Sequence, residues 1–360
     1  MHLFSRYTMV TGQTAMEGFR RHIHPAYAMG LIVALGIIIL AALIGLLSIV
    51  GDVLAQWARV SFGWEVHPGI WAIGISAVLY AMLWGGTVGS FERILAVLVG
   101  VMGVSFVASA IVSFPGWGEV LAGLVPSVPA VAEGSDNSSF VITASMFGTT
   151  VSVFVFLIRS GLVQEKRWGD KDFATARRDA AVSATLMFVL SSAVLIAAAG
   201  AIHGTNYKFN NIAELIPVLE PVYGKAAMGV FVVGIVAAGI SSHLPNLLVI
   251  PWLAQDYRGV PRITTTIGNR VVLLILSLLA VAGVLTGVRP VFLMLLSQAS
   301  IVVVLPLTLA GMIYLMSRES LMGAHRTRGH EFLVQSVVMV LSLCMSAVAV
   351  RGLITDITTR

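Results

Sequence analysis

Residues 143–166 read TASMFGTTVSVFVFLIRSGLVQEK. The stretch is apolar and helix-forming, but its centre, Gly148-Thr149-Thr150-Val151-Ser152, is polar and a poor helix former. Lipid offers no partner to a free backbone group, so an unwound turn at membrane depth persists only where protein or a watery cavity satisfies it. Transport proteins use such broken helices to hold substrate near the bilayer midplane. The segment therefore points to a membrane transporter with its site at Thr149–Ser152. The same composition also suits an unbroken helix whose small residues serve close packing.

The rest of the chain supports a membrane setting. Of 360 residues, 58% are hydrophobic and only 11% charged, with a mean hydropathy of +0.94, whereas soluble chains carry about 25% charged residues. Apolar runs recur from end to end, each long enough to cross a hydrocarbon core of about 30 Å. No charge run suggests nucleic-acid binding. The only cysteine, Cys344, lies in an apolar run and cannot form an internal disulfide. No cleavable leader is evident, since the first apolar run begins near Tyr27, behind Arg20-Arg21.

Nine spanning helices are expected, at roughly 27–50, 69–86, 92–114, 140–163, 180–202, 227–253, 268–287, 290–316 and 331–353, forming one polytopic domain over 1–360. An odd number puts the termini on opposite sides. With the N-terminus inside, sixteen of the 22 basic residues fall on the cytoplasmic side and six outside, which predicts N-in, C-out. The Gly- and Pro-rich connection at 115–139 agrees, having Glu119, Glu133 and Asp136 but no base. A short surface helix is expected at Ile212–Leu219, and Asn137-Ser138-Ser139 fits the weak glycosylation triplet.

Several stretches, in order, resemble the Nramp divalent-metal transporters. GTTVSVFVFLIRSGLVQEKRW is similar to that family's sixth helix, and SRYTMVTGQTAMEGFRRHI to its second-to-third helix connection. SFERILAVLVGVMGVSF resembles the fifth helix, GVFVVGIVAAGISSHLPN the eighth, and RPVFLMLLSQASIVVVLPLTL the tenth, with Gln298 and Pro306 in place. The resemblance implies an all-α, LeuT-like fold of two inverted five-helix repeats. It also implies that this chain starts at the family's third helix, without the broken first helix and its Asp-Pro-Gly-x-Asn motif. A longer reading frame upstream is the expectation. Residues 1–360 alone are expected to transport poorly, and a non-transporting remnant or partner-dependent fragment is the alternative.

By that resemblance Thr149 takes the position of a backbone-carbonyl ligand and Ser152 that of a methionine. Val153, Phe154 and Val155 stand where the family has proline, histidine and asparagine. Sulfur favours transition metals, whereas Ca²⁺ and Mg²⁺ want oxygen. Loss of the thioether therefore implies a hard-ion site, for Mg²⁺ or Mn²⁺ as transported substrate, with Thr149, Ser152 and Gln298 as metal residues. Ser152 also fits a space-filling role, and Gln298 also fits a bond between helices. A bacterial inner-membrane location follows from the resemblance.

Other polar residues are less telling. His243 and Asn246 near Pro245 suit a polar path, or a satisfied packing role. Arg270 resembles a cytoplasmic-pathway arginine but also suits a topology anchor. The first span has no acid before Asp52, at its expected outer end, so buried groups for a proton relay are lacking there. The chain has no H-E-x-x-H, G-x-S-x-G or Walker motif. Ser241-Ser242-His243 is adjacent in sequence only, so an intramembrane hydrolase is a distant alternative.

Overall fold

A computed structural model describes residues 1–85, 88–125, 138–202, 227–287 and 289–358. The elements are α1 His2–Thr11, α2 Ala15–His22, α3 Pro25–Phe62, α4 Pro68–Gly85, α5 Val88–Val112, α6 Trp117–Gly123, α7 Ser139–Thr150, α8 Val153–Glu165, α9 Phe173–Ile202, α10 Ala227–Arg258, α11 Ile267–Leu285, α12 Pro290–Ser317, α13 Glu319–Met322 and α14 His330–Thr358. Among the described residues there is no strand.

All nine expected segments are helical. Seven spans, α7 and α8 counting as one, are long and apolar enough to cross a membrane. Helix α4 is apolar but shorter, and the apolar part of α5 is followed by α6 at a bend of 116°. Helix α6 lies in the Gly- and Pro-rich connection at 115–139. The expected helix at 212–219 and Asn137 lie outside the described residues.

Local signals set the ends. Pro25 occupies the first turn of α3 and His24 caps it, Nδ1 accepting from the Ala26 N–H at 3.1 Å. The helix then runs 38 residues to Gly63, whose φ of 69° closes it in the left-handed region. It is longer than expected because nothing in GDVLAQWARVSF breaks a helix, so Asp52 falls inside α3. In α2, Thr14 accepts from the Glu17 N–H, and Arg20, Arg21 and His22 fill the last turn, where cations suit the helix dipole.

Helices α3, α10 and α12 form the centre: α3 packs on both others, while α12 also packs on α7 and α14. One apolar core joins Leu35 and Ile39 of α3 to Leu157 of α8 and to Leu305 and Met312 of α12. A second joins Leu43 and Leu47 of α3 to Leu79 of α4, Leu247 of α10 and Ala280 of α11. Outward faces of α9, α11 and α14 stay apolar and exposed, as lipid-facing surfaces should.

The N-terminal segment is a plug at one end of this bundle. Phe4, Tyr7, Met16 and Phe19 are fully buried, and the Phe4 and Phe156 rings stack 5.6 Å apart. The Ala15 N–H donates to Ser160 Oγ at 3.1 Å, and Gln164 Nε2 to the Gly12 carbonyl at 2.8 Å. Burial pushes the Tyr7 phenol up to about 12, so it stays neutral and donates to Gln13 Oε1 at 3.1 Å.

Candidate functional site

The α7–α8 helix is interrupted, but more narrowly than its composition suggests. Gly148, Thr149 and Thr150 remain helical, and the break is Val151 (φ −111°, ψ 62°) and Ser152 (φ −78°, ψ 125°). The Thr149 and Thr150 hydroxyls both bond back to the Met146 carbonyl, at 2.8 and 3.2 Å. Such back-bonding competes with the helical ladder, and the β-branched run Thr149-Thr150-Val151 weakens it further.

The ladder stops abruptly. The Val151 N–H still reaches the Phe147 carbonyl at 2.8 Å, but among the described residues no backbone N–H bonds to the carbonyls of Gly148, Thr149, Thr150 or Val151. Ser152 begins α8 with no side-chain cap bond, and its hydroxyl has no partner among the described residues. Orphan carbonyls at a helix C-terminus carry the negative end of the dipole. Unwound carbonyls at a break are suited to a cation.

Helix α12 faces this break through Gln298. A Cβ placed on Gly148 would lie 2.9 Å from the Gln298 carbonyl carbon, nearer still to its oxygen, and 3.1 Å from Val302 Cγ2. Only glycine allows the two backbones to approach so closely. The neighbouring hydroxyls are satisfied locally: Ser297 Oγ donates to the Met294 carbonyl and Ser300 Oγ to that of Leu296, each at 2.8 Å. The half-buried Gln298 side chain has no hydrogen bond among the described residues. Two features 150 residues apart in sequence thus meet. Among the described residues no group of three or more His, Cys, Asp or Glu side chains is placed to hold a metal. Any cation at the break would be held by carbonyl, hydroxyl and amide oxygens.

His243 is not the satisfied core histidine that its setting suggested. It is 2% exposed, and neither ring nitrogen has a partner among the described residues. Arg270 packs on α4: its Nη2 donates to the Trp84 carbonyl at 3.1 Å, and its guanidinium lies 4.0 Å over the Trp84 ring.

Sequence reasoning missed a buried clasp below the break. Asp256 at the end of α10 takes two bonds from Arg262, Nε at 3.0 Å and Nη2 at 2.7 Å, and both side chains are almost wholly buried. The guanidinium also stacks 5.1 Å from the Trp252 ring and lies 3.6 Å from Glu165 of α8. It fills the space over Gly161, where a Cβ would sit 2.5 Å from Nη1 and closer to the rest of the group. The clasp ties α8 to α10. Its signal was the cluster Asp256-Tyr257-Arg258 with Arg262, which reads equally well as topology-setting charge.

The fold and site define a polytopic α-helical membrane protein of LeuT-like architecture, with one span broken opposite a polar residue of another. A family model described as "Natural resistance-associated macrophage protein-like" (Nramp) matches residues 1–355, and the chain belongs to this family. It is 26% identical over 246 residues to the divalent metal cation transporter MntH of Acidiphilium cryptum, covering 66% of this chain and 54% of that protein. The MntH of Verminephrobacter eiseniae is 26% identical over 266 residues, 72% of this chain and 58% of that protein. The chain thus matches a little over half the length of these curated relatives. A crystal structure of a variant of the Eremococcus coleocola manganese transporter superposes with a TM-score of 0.75 at 15% identity, covering 99% of this chain and 77% of that one. The inward-facing conformation of Mhp1 gives 0.56 at 19% identity, covering 99% and 78%.

Proposed function

We propose that this protein is a secondary transporter of divalent metal cations that accepts hard ions, Mg²⁺ as well as Mn²⁺, at the α7–α8 break. One observation carries the reading: among the described residues the carbonyls of Gly148, Thr149, Thr150 and Val151 accept no backbone N–H and the Ser152 hydroxyl makes no cap bond, and this turn packs through Gly148 against the α12 backbone at Gln298, whose side chain has no hydrogen bond among them. All of these donors are oxygen, the ligand type that Mg²⁺ and Ca²⁺ require and Mn²⁺ tolerates. Thr149 contributes its carbonyl, since its hydroxyl is bonded to Met146. The relatives are named as divalent metal cation transporters and the solved neighbour as a manganese transporter, which supports the cation class.

The N-terminus lies in the cytoplasm on this reading, in the inner membrane of a bacterium. Arg6, Arg159, Arg262 and Arg326 all take part in ion pairs within one end of the bundle, the end that the positive-inside rule assigns to the cytoplasm. The N-terminal plug and the Asp256–Arg262 clasp then close the cytoplasmic side, so the path opens inward only when α8 moves.

Competitive uptake of Mg²⁺, Mn²⁺ and Cd²⁺ into liposomes holding the full-length protein tests the assignment. Ser152→Met should raise Mn²⁺ and Cd²⁺ relative to Mg²⁺, because a thioether favours softer cations. An unchanged ranking would remove Ser152 from the ion site.

A further inference from the structure

The arginine-rich end of the bundle holds a polar cavity whose lining does not include the broken turn. It has a volume of about 620 Å³ and opens between α1, the start of α9, the turn before α14 and the start of α14. Four guanidiniums line it: Arg6, Arg177, Arg326 and Arg328. Glu331 is the only carboxylate in the lining.

The charges do not balance. Arg6 spends its charge on Glu331, with Nη1 at 2.9 and 2.8 Å from the two carboxylate oxygens, and also donates to the His325 carbonyl. Arg326 pairs with Glu319. Arg177 and Arg328 are exposed, and among the described residues neither guanidinium has a carboxylate or hydrogen-bond partner. Two unneutralised cations facing one cavity repel each other unless an anion lies between them. His2 lies in the same lining; burial first, then the Arg6 charge, hold its imidazole below the usual range, with Glu331 opposing them. Phe173 and Ala174 bring the first turn of α9 to the cavity, a 30-residue helix whose N-terminal amides favour an anion.

The surroundings say what carries that anion. Helices α9 and α14 are the two least buried of the long spans. On α9, Val182, Leu186 and Val189 are exposed, and Val182 lies five residues past Arg177, about 7.5 Å along the helix. On α14, Leu333, Val337 and Leu341 are exposed and begin two residues past Glu331. An amphiphile with its head in the cavity would lay its tails on these faces. We propose that this cavity binds the phosphate of an anionic phospholipid, held chiefly by Arg177 and Arg328. Basic pockets between span ends on the cytoplasmic side suit such headgroups.

The test needs no transport. The full-length protein is placed in nanodiscs of phosphatidylcholine with and without phosphatidylglycerol, and retained lipid is counted by native mass spectrometry alongside thermal unfolding. The wild type should retain phosphatidylglycerol and melt higher with it. The Arg177→Gln/Arg328→Gln double variant should lose retention by about tenfold or more, given two basic contacts, and Lys at both positions should restore part of it. Neither arginine has a partner to lose, so the variant should keep its fold, which its melting in phosphatidylcholine alone verifies. Arg93→Gln, at an exposed basic residue outside the cavity, should change nothing. Retention unchanged in the double variant, or equally reduced by Arg93→Gln, overturns the site. Stabilisation by inorganic phosphate alone, dependent on Arg177 and Arg328 and without phosphatidylglycerol retention, overturns the lipid source and leaves a soluble phosphate as ligand.

Discussion

Gly148→Ala tests whether the contact between the broken helix and Gln298 is part of the ion path. The added Cβ would lie 2.9 Å from the Gln298 carbonyl carbon. Carbon atoms settle at about 3.5–4.0 Å and the carbonyl oxygen lies nearer still, so α12 must retreat from α7 by about 1 Å or more at this point. Two energies then oppose each other. Overpacking costs about 1–3 kcal/mol, while alanine in place of a helical glycine returns about 1 kcal/mol. The net loss of stability is thus at most about 2 kcal/mol, a drop of a few degrees in melting temperature. Transport should fall much further. A misplacement of about 1 Å at a positioned site lowers rates by about 10²-fold, and it falls where α12 packs against the turn that carries the orphan carbonyls. The assay pairs Mn²⁺ uptake into liposomes with thermal unfolding of the same preparation. Uptake within twofold of wild type, at near-wild-type stability, would refute the reasoning and leave Gly148 as a packing residue only.

Further outcomes follow from other contacts. Ser152→Ala should weaken Mg²⁺ uptake only modestly if a water replaces the hydroxyl, and Thr149→Ala less still because its side chain already bonds Met146; initial rates over a range of Mg²⁺ concentration check both. Arg262→Ala strands Asp256 in the interior and should cost about 3–5 kcal/mol, whereas Asp256→Ala with Arg262→Met should cost less than the single change; thermal unfolding of both variants decides. Gly161→Ala should also loosen the clasp, since Asp256 pins the guanidinium that the new Cβ would strike; faster proteolysis of the loop at 259–266 is the expected readout. Arg6→Gln should free the N-terminal plug from α14 and speed cleavage between α2 and α3, with no such effect from Arg93→Gln.

Much of the chain was legible before any coordinates. Apolar runs near membrane length have a single good solution, because backbone groups in lipid must pair within their own segment. That is why the nine expected segments are helical, with 140–163 broken at Val151–Ser152, although among the described residues only seven spans are long and apolar enough to cross a membrane, and why Pro25 and Gly63 mark the ends of α3. The break was visible for a related reason: β-branched and hydroxyl residues in an apolar helix compete with its ladder. Composition could not say where in Gly148–Ser152 the ladder fails. In the structure Thr149 and Thr150 stay helical although their hydroxyls turn back to Met146, and the ladder fails only at Val151–Ser152.

What the sequence determined by itself was the membrane class, the helices and the place of the weak turn, all consequences of local composition and length. What only the tertiary structure decided was which distant groups share a space. Gln298 meets Gly148 because two backbones approach where a Cβ is missing. Arg262 closes on Asp256 beneath the break, and Arg177 and Arg328 face one cavity with no counter-ion among the described residues. An arginine in a loop reads the same in sequence whether it sets topology, clasps two helices or waits for an anion. The difference lies in burial and in the distance to the nearest carboxylate, and both are set by packing between segments far apart in the chain.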